Sequence, residues 1–158
     1  MSTPATAPQL RPMALADLDR VIGLASSLPS APQWPRAAYE AAIDQHSTPQ
    51  RVALVATASQ SDEVAGFVVA SLVPPRAELE SIAVAVDSQR RGLGRQLLSG
   101  LVAELRQRGI EELVLEVRAS NSAATAFYKS MGFHFTGLRP RYYVDPIENA
   151  VMMALAIK

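Results

Sequence analysis

Residues 78–95 read Glu78-Leu79-Glu80-Ser81-Ile82-Ala83-Val84-Ala85-Val86-Asp87-Ser88-Gln89-Arg90-Arg91-Gly92-Leu93-Gly94-Arg95, a largely apolar run that breaks into a glycine- and arginine-rich loop. Glu78–Val84 predicts a strand, and the leucines after it recur at helical spacing, which predicts a long amphipathic helix over Gly92–Arg108. A second β-prone run at Glu112–Val117 completes a strand–helix–strand unit, so the two strands should lie parallel with a right-handed crossover. In such units a ligand sits beyond the strand ends. Three effects coincide at the head of the helix: glycine allows close backbone approach, the first-turn amides lack intrahelical partners, and the helix dipole favours an anion. Arg90, Arg91 and Arg95 add positive charge suited to a pyrophosphate. An ordinary glycine-containing loop with solvated arginines is the plainer reading of the same residues. It is not a Walker loop, since no Gly-Lys-Ser/Thr follows, and not a dinucleotide fingerprint, since the third glycine is missing.

On either side of this unit the chain alternates in the same way. A short strand over Gln9–Met13 and a helix over Leu15–Ala25 come first. Three prolines between Ser27 and Pro35 end that helix, and Arg36–Ile43 reads as a second, with Pro35 at its first turn. Arg51–Ser59 and Val64–Val73 form a predicted antiparallel hairpin, stopped by Pro74-Pro75. Beyond the central unit, a helix over Ser122–Met131 and strands over Phe133–Arg139 and Ala150–Ile157 are expected. The fold class is α/β, a mixed sheet of about seven strands with about four helices on its two faces. Residues 1–10, uncharged and rich in Ser, Thr, Pro and Ala, are expected to fray and lack the features of a signal peptide; residues 11–158 form the expected single domain.

Composition narrows the function. Of 158 residues, 49% are hydrophobic and 19% charged, as in a globular chain, and none is cysteine, which excludes disulfides, thiolate metal sites and cysteine nucleophiles. Fifteen Lys+Arg balance fifteen Asp+Glu, so no long-range field gathers polyanions and direct nucleic-acid binding is not expected. The apolar runs fall short of the roughly 20 residues that span a membrane, so a cytoplasmic location without membrane association is expected. His46 and His134 stand apart from any acidic or cysteine cluster, and no metal site is expected.

Gln89-Arg90-Arg91-Gly92-Leu93-Gly94 resembles the acetyl-coenzyme A loop of the Gcn5-related N-acetyltransferase (GNAT) family, which has the form Gln/Arg-x-x-Gly-x-Gly/Ala. The preceding Leu79–Val84 is similar to that family's splayed fourth strand. Downstream, Ser120-Asn121-Ser122-Ala123-Ala124-Thr125-Ala126-Phe127-Tyr128-Lys129-Ser130-Met131-Gly132-Phe133 resembles its second cofactor motif. Within the family, Leu115–Asn121, Arg139-Pro140-Arg141-Tyr142-Tyr143 and Ala150–Leu155 look like the bacterial RimI type, the ribosomal-protein alanine N-acetyltransferases. Trp34 after a proline-rich turn fits as well. One departure is Glu148-Asn149-Ala150, where the subgroup has Glu-Asp-Ala.

The resemblance implies direct acetyl transfer from acetyl-CoA, without a metal, to a protein N-terminal α-amine, with alanine of a small-subunit ribosomal protein as the favoured acceptor. It places the coenzyme on Gln89, Arg90, Arg91, Gly92, Leu93, Gly94, Arg95, Asn121 and Tyr128, and the thioester carbonyl against backbone amides of Ile82, Ala83 and Val84. Glu116 is implied as general base. By alternation it shares a face with Val114 and Arg118, opposite Leu113, Leu115 and Val117, and a solvated carboxylate paired with Arg118 is the plainer reading. Tyr128 is implied as general acid, and a core aromatic is its alternative. Asn121 suits either a helix cap or the pantetheine arm. Glu78, expected on one face with Glu80 and Ile82, is a second candidate base or a site for a substrate cation. Trp34, Tyr142 and Tyr143 are implied to cover the peptide end of the cleft, against a reading of Trp34 as a staple of the proline loop. Two other functions suit the chain: a small-molecule amine acetyltransferase and a noncatalytic acyl-CoA-binding regulator.

Overall fold

The computed structural model describes residues 8–28, 31–58 and 62–158. Most of the segment expected to fray, and Ser59 at the end of a predicted strand, lie outside the described residues. The elements are β1 (Leu10–Pro12), α1 (Leu18–Ser26), α2 (Arg36–Ile43), β2 (Arg51–Thr57), β3 (Val64–Val73), β4 (Arg76–Val84), α3 (Leu93–Gln107), β5 (Glu112–Arg118), α4 (Ser122–Ser130), β6 (His134–Val144) and β7 (Ile147–Ala156). They build one seven-stranded sheet in the order β1-β2-β3-β4-β5-β7-β6. The β4–β5 pair is parallel, as the crossover through α3 requires, and the other pairs are antiparallel.

Strand alternation divides the core into two layers. Val52, Ala56, Val68, Ala70, Leu79, Leu113 and Leu115 face α3, whose stripe of Leu93, Leu97, Leu98, Leu101 and Leu105 is buried. On the other face Val55, Phe67, Val69 and Ala83 meet Leu18, Val21 and Leu24 of α1 and Tyr39 of α2. α3 approaches the sheet closely over Gly66, where a Cβ would stand 2.9 Å from the carbonyl oxygen of Ala83 and 3.0 Å from Leu97.

The short strand expected from Gln9 pairs with β2: Gln9 accepts a bond from Thr57 N–H and Leu10 pairs with Ala56. Three features differ from the sequence expectation, each for a local reason. The first helix opens as a 3-10 turn over Leu15–Asp17, where the Asp17 carboxylate accepts the Ala14 N–H at 2.8 Å and two bonds from Arg11 at 2.7 and 2.8 Å. β6 and β7 run on past Arg139 and begin before Ala150, meeting at Asp145-Pro146 as a long hairpin. In β4 the pairing with β3 slips between Ser81 and Leu79, leaving Glu80 as an extra residue. That bulge reverses the alternation. Glu78 and Glu80 therefore keep the α1/α2 face, whereas Ile82 packs with the α3 layer, and the expectation that all three share a face is corrected.

Two outcomes test this packing. Gly66→Ala should cost about 1–3 kcal/mol, since the new methyl meets backbone that cannot yield, read as a lower midpoint in denaturant unfolding. Asp17 titrates below an ordinary carboxylate because Arg11 bonds its anion, with the Ala14 N–H adding to the effect and burial opposing it. Its contribution to stability is thus full above pH about 4 and is lost as pH falls through the folded value. Asp17→Asn should cost about 1–2 kcal/mol at pH 7, and the gap between variant and wild type should narrow progressively as pH falls below about 4.

Candidate active site

β4 and β5 are paired only at Arg76–Glu112, Ala77–Leu113 and Glu78–Val114. Beyond that point β4 stays on β3 and β5 stays on β7, so the sheet forks. The Ala85 N–H donates to Ala65 O at 2.7 Å on the β3 side. Alternation then turns the backbone of Ala83 toward β3 and that of Ile82 and Val84 into the fork. The side-chain amide of Gln89 donates to the Val84 carbonyl at 3.0 Å, which closes the loop onto the end of the strand.

One face of the fork, on the α1/α2 side, is acidic. Glu78 stands at the last paired position of β4, and Glu116 lies two residues further along β5 on the same face. Glu116 is mostly buried and pairs at 3.0 Å with Arg139, whose side chain is 55% exposed. Partial desolvation raises the Glu78 pKa, as do the charges of Glu116 and Glu80, while Arg139 opposes them. Glu80 is itself paired with Arg51 at 2.8 Å. The Tyr142 phenol lies against the Glu116 carboxylate, and that acceptor, ahead of burial, holds the phenolic proton and raises its pKa. Tyr143, half-buried beside it, titrates high through burial and the Glu116 charge, with the Arg118 guanidinium 4.3 Å from its ring centre acting in opposition.

The opposite face carries the other candidates. Tyr128 of α4 sits in the α3 layer, its ring 5.5 Å from Phe133, and burial ahead of the neighbouring Tyr143 pushes its pKa up to about 12. It is therefore protonated throughout the neutral range. No side chain caps α3, whose N-cap Gly92 adopts φ +82°, so the amides of Leu93, Gly94 and Arg95 leave the first turn free. Arg90, itself at φ +64°, and Arg91 are exposed beside them. Arg95 is engaged elsewhere, donating to Ser130 at 3.0 Å and to the Met131 sulfur at 3.4 Å. The Asn121 side chain accepts the Ala124 N–H at 3.1 Å, which makes it the cap of α4 and leaves its amide NH2 available.

The structure thus gathers Glu78, Glu116, Tyr142 and Tyr143 on one side of the fork, and Tyr128 with the glycine loop on the other. Trp34 is half-buried and packs against Tyr39, with ring centroids 5.2 Å apart and planes inclined at 40°. The pairing suggested for Glu116 is corrected: Arg118 goes to Glu148 at 3.3 Å, and Arg139 takes Glu116. Sequence reading missed Arg139 because its reach depends on register. Glu116, Met152 and Gly137 stand in one row across β5, β7 and β6. Gly137 has no side chain above Met152, and Arg139 reaches Glu116 across that row. Tyr142 and Tyr143 lie in β6 itself rather than in a loop, where an irregular stretch after Arg139 puts Arg141 at φ +54° with its N–H on Asn149 Oδ1 at 3.0 Å. Among the described residues no group of His, Asp or Glu could hold a metal ion, and no helix is long and apolar enough to cross a membrane.

Comparison with known proteins agrees with this geometry. Residues 15–133 match the family model described as Acetyltransferase (GNAT) family. The [ribosomal protein bS18]-alanine N-acetyltransferase of Escherichia coli K12 is 48% identical over 101 residues, 63% of this chain and 68% of that protein. The crystal structure of the ribosomal-protein-S18-alanine N-acetyltransferase from Escherichia coli superposes with a TM-score of 0.81 at 34% identity, covering 96% of this chain and 95% of that one. Ard1 from Thermoplasma volcanium superposes with a TM-score of 0.82 at 28% identity, over 97% and 99% of the two chains. A forked mixed sheet, a glycine loop heading the central helix and a family match across most of the chain agree: this protein is an N-acetyltransferase of the GNAT family.

Proposed function

We propose that the protein transfers the acetyl group of acetyl-CoA directly to the α-amine of a protein N-terminus, with an N-terminal alanine of a small-subunit ribosomal protein as the favoured acceptor and the cytoplasm as its location. The observation that carries this reading is the fork, which separates an acidic face suited to an amine from a face suited to an anionic coenzyme. The likeness to bS18-alanine N-acetyltransferases supports the choice of acceptor.

The chain's own groups fit the coenzyme. The free amides of Leu93, Gly94 and Arg95 and the guanidinium groups of Arg90 and Arg91 suit the pyrophosphate. The open edge of β4 at Ile82 and Val84 suits the pantetheine arm as an added strand, with Asn121 beside it. When bound, acetyl-CoA supplies an electrophilic thioester carbonyl. An Ile82 or Val84 N–H that points into the fork can hold that carbonyl oxygen as charge builds on it. Glu78 meets the incoming amine at the mouth. Glu116 accepts the proton that leaves nitrogen, directly or through water, and the Tyr128 hydroxyl donates to sulfur as the thiol departs. The high pKa of Tyr128 keeps its proton in place until then. Tyr142 and Tyr143 frame the peptide side of Glu116. The lack of cysteine suits transfer within a ternary complex.

Labelled acetyl-CoA should mark a peptide that begins with alanine and leave polyamine and aminoglycoside acceptors unmarked; label on the small amines alone would favour the small-molecule reading, and label on none a binding module. Glu116→Gln should lower kcat by at least about tenfold with coenzyme affinity little changed. Gly92→Val should do the reverse, since a β-branched residue is strained at φ +82°. An expected loss of about tenfold or more in coenzyme A affinity corresponds to about 1.4 kcal/mol and is read by calorimetric titration.

A further inference from the structure

A protein surface offers many more lysine ε-amines than N-termini, so an N-terminal transferase needs a means of telling them apart. The reference pKa values differ, about 7.7–8.0 for an α-amine against about 10.4 for lysine. At pH 7.5 the free-base fraction therefore favours the α-amine on the order of several hundredfold. An active site exploits that difference only if it refuses the ammonium form.

The base at this fork is already occupied by a cation. Arg139, its side chain half-exposed, lies 3.0 Å from the mostly buried Glu116 carboxylate. Its guanidinium is also 5.7 Å from the centre of the Tyr142 ring, which lies against the same carboxylate. We propose that Arg139 is a specificity-determining residue: by holding the cation position of Glu116 it keeps acceptor ammonium groups off the base, admits the neutral amine, and so favours protein N-termini over lysine side chains. This rests on the N-terminal reading given above.

The surroundings of Glu116 support the assignment. Glu78 faces it from β4, Arg118 stands two residues on in β5, Tyr142 and Tyr143 come from β6, and Glu148 comes from β7. Arg118 is committed to Glu148 and stacks on Tyr143, so Arg139 alone among these cations is paired with Glu116. A second cation brought against Glu116 would meet the guanidinium at contact distance, where like charges repel strongly. Glu78, which has no ion-pair partner among the described residues, can still attract a charged amine to the mouth, where the ammonium gives its proton to bulk water before the neutral amine advances. A planar guanidinium keeps its charge at every working pH, so the exclusion does not itself titrate.

The test compares wild type with Arg139→Gln and Arg139→Lys. It uses an alanine-initiated peptide and an N-terminally blocked peptide with one internal lysine, with kcat/KM followed from pH 6 to 9. For wild type, kcat/KM on the α-amine should climb with pH until that amine is neutral, with the lysine peptide slower by on the order of a hundredfold or more. Arg139→Gln should cut the α-to-ε ratio at least about tenfold, flatten the climb below pH 8 and lower the peptide KM, while Arg139→Lys retains the wild-type pattern. Arg139 is largely exposed, so a circular dichroism melt matching wild type is expected for both variants. An Arg139→Gln enzyme with the wild-type ratio and pH limb overturns the inference, as does an Arg139→Lys enzyme that loses selectivity equally. A wild-type protein that acetylates neither peptide fails the N-terminal reading and takes this inference with it; an active wild type indifferent to Arg139 removes the inference alone.

Discussion

The parting of β4 from β5 after Glu78 and Val114 is the constraint on which the rest of the molecule depends. A continuous sheet would pair the Ile82 and Val84 amides with β5 and leave nothing to receive a ligand. Both strands remain anchored on their outer sides, β4 along β3 and β5 along its whole length on β7, so the opening does not loosen either one. The fork is thus a rigid defect. Unsatisfied backbone groups are tolerated there because a ligand or solvent can meet them, whereas in the core they would be costly.

The bulge at Glu80 works with the fork. By inserting a residue it sends Glu78 and Glu80 to the α1/α2 face and returns Ile82 and Val84 to the α3 layer, so one short strand serves both sides. Glu78 marks the mouth, Glu80 is tied to Arg51, and the strand beyond presents amides rather than carboxylates to the opening. The β6–β7 hairpin then closes the acidic face. The carboxylate of Glu148 accepts from Arg118 and from Ser120 N–H, and that pair of contacts fixes the hairpin to the β5–α4 junction. Hydrogen bonds from Ser120, its side chain first and its N–H next, and then Arg118 hold that anion and lower its pKa. Tyr143 stands beside this junction with its ring under the Arg118 guanidinium.

Much of the fold was legible in the residues. The leucine stripe of α3, the cap at Asn121 and the β2–β3 hairpin that Pro74-Pro75 stops are local signals, and local signals survive being read in one dimension. The candidate site was legible in part, as residue types at the right places along the chain. The partners of those residues were not. Arg118 was the partner that the plainer reading offered Glu116, yet β6 supplies Arg139 through a row that includes Gly137 and Met152. Trp34 likewise gains a partner its proline-rich context did not show, the Tyr39 ring of α2.

What the sequence alone determined was the order of elements, the parity of each regular strand and the glycine loop that heads α3, because each depends on neighbours within a few residues. Only the tertiary structure decided where the sheet divides, which face Ile82 takes and which cation holds Glu116. A bulge shifts parity and a register sets distance, and both arise from pairing between segments far apart in the chain, where local propensity carries no information.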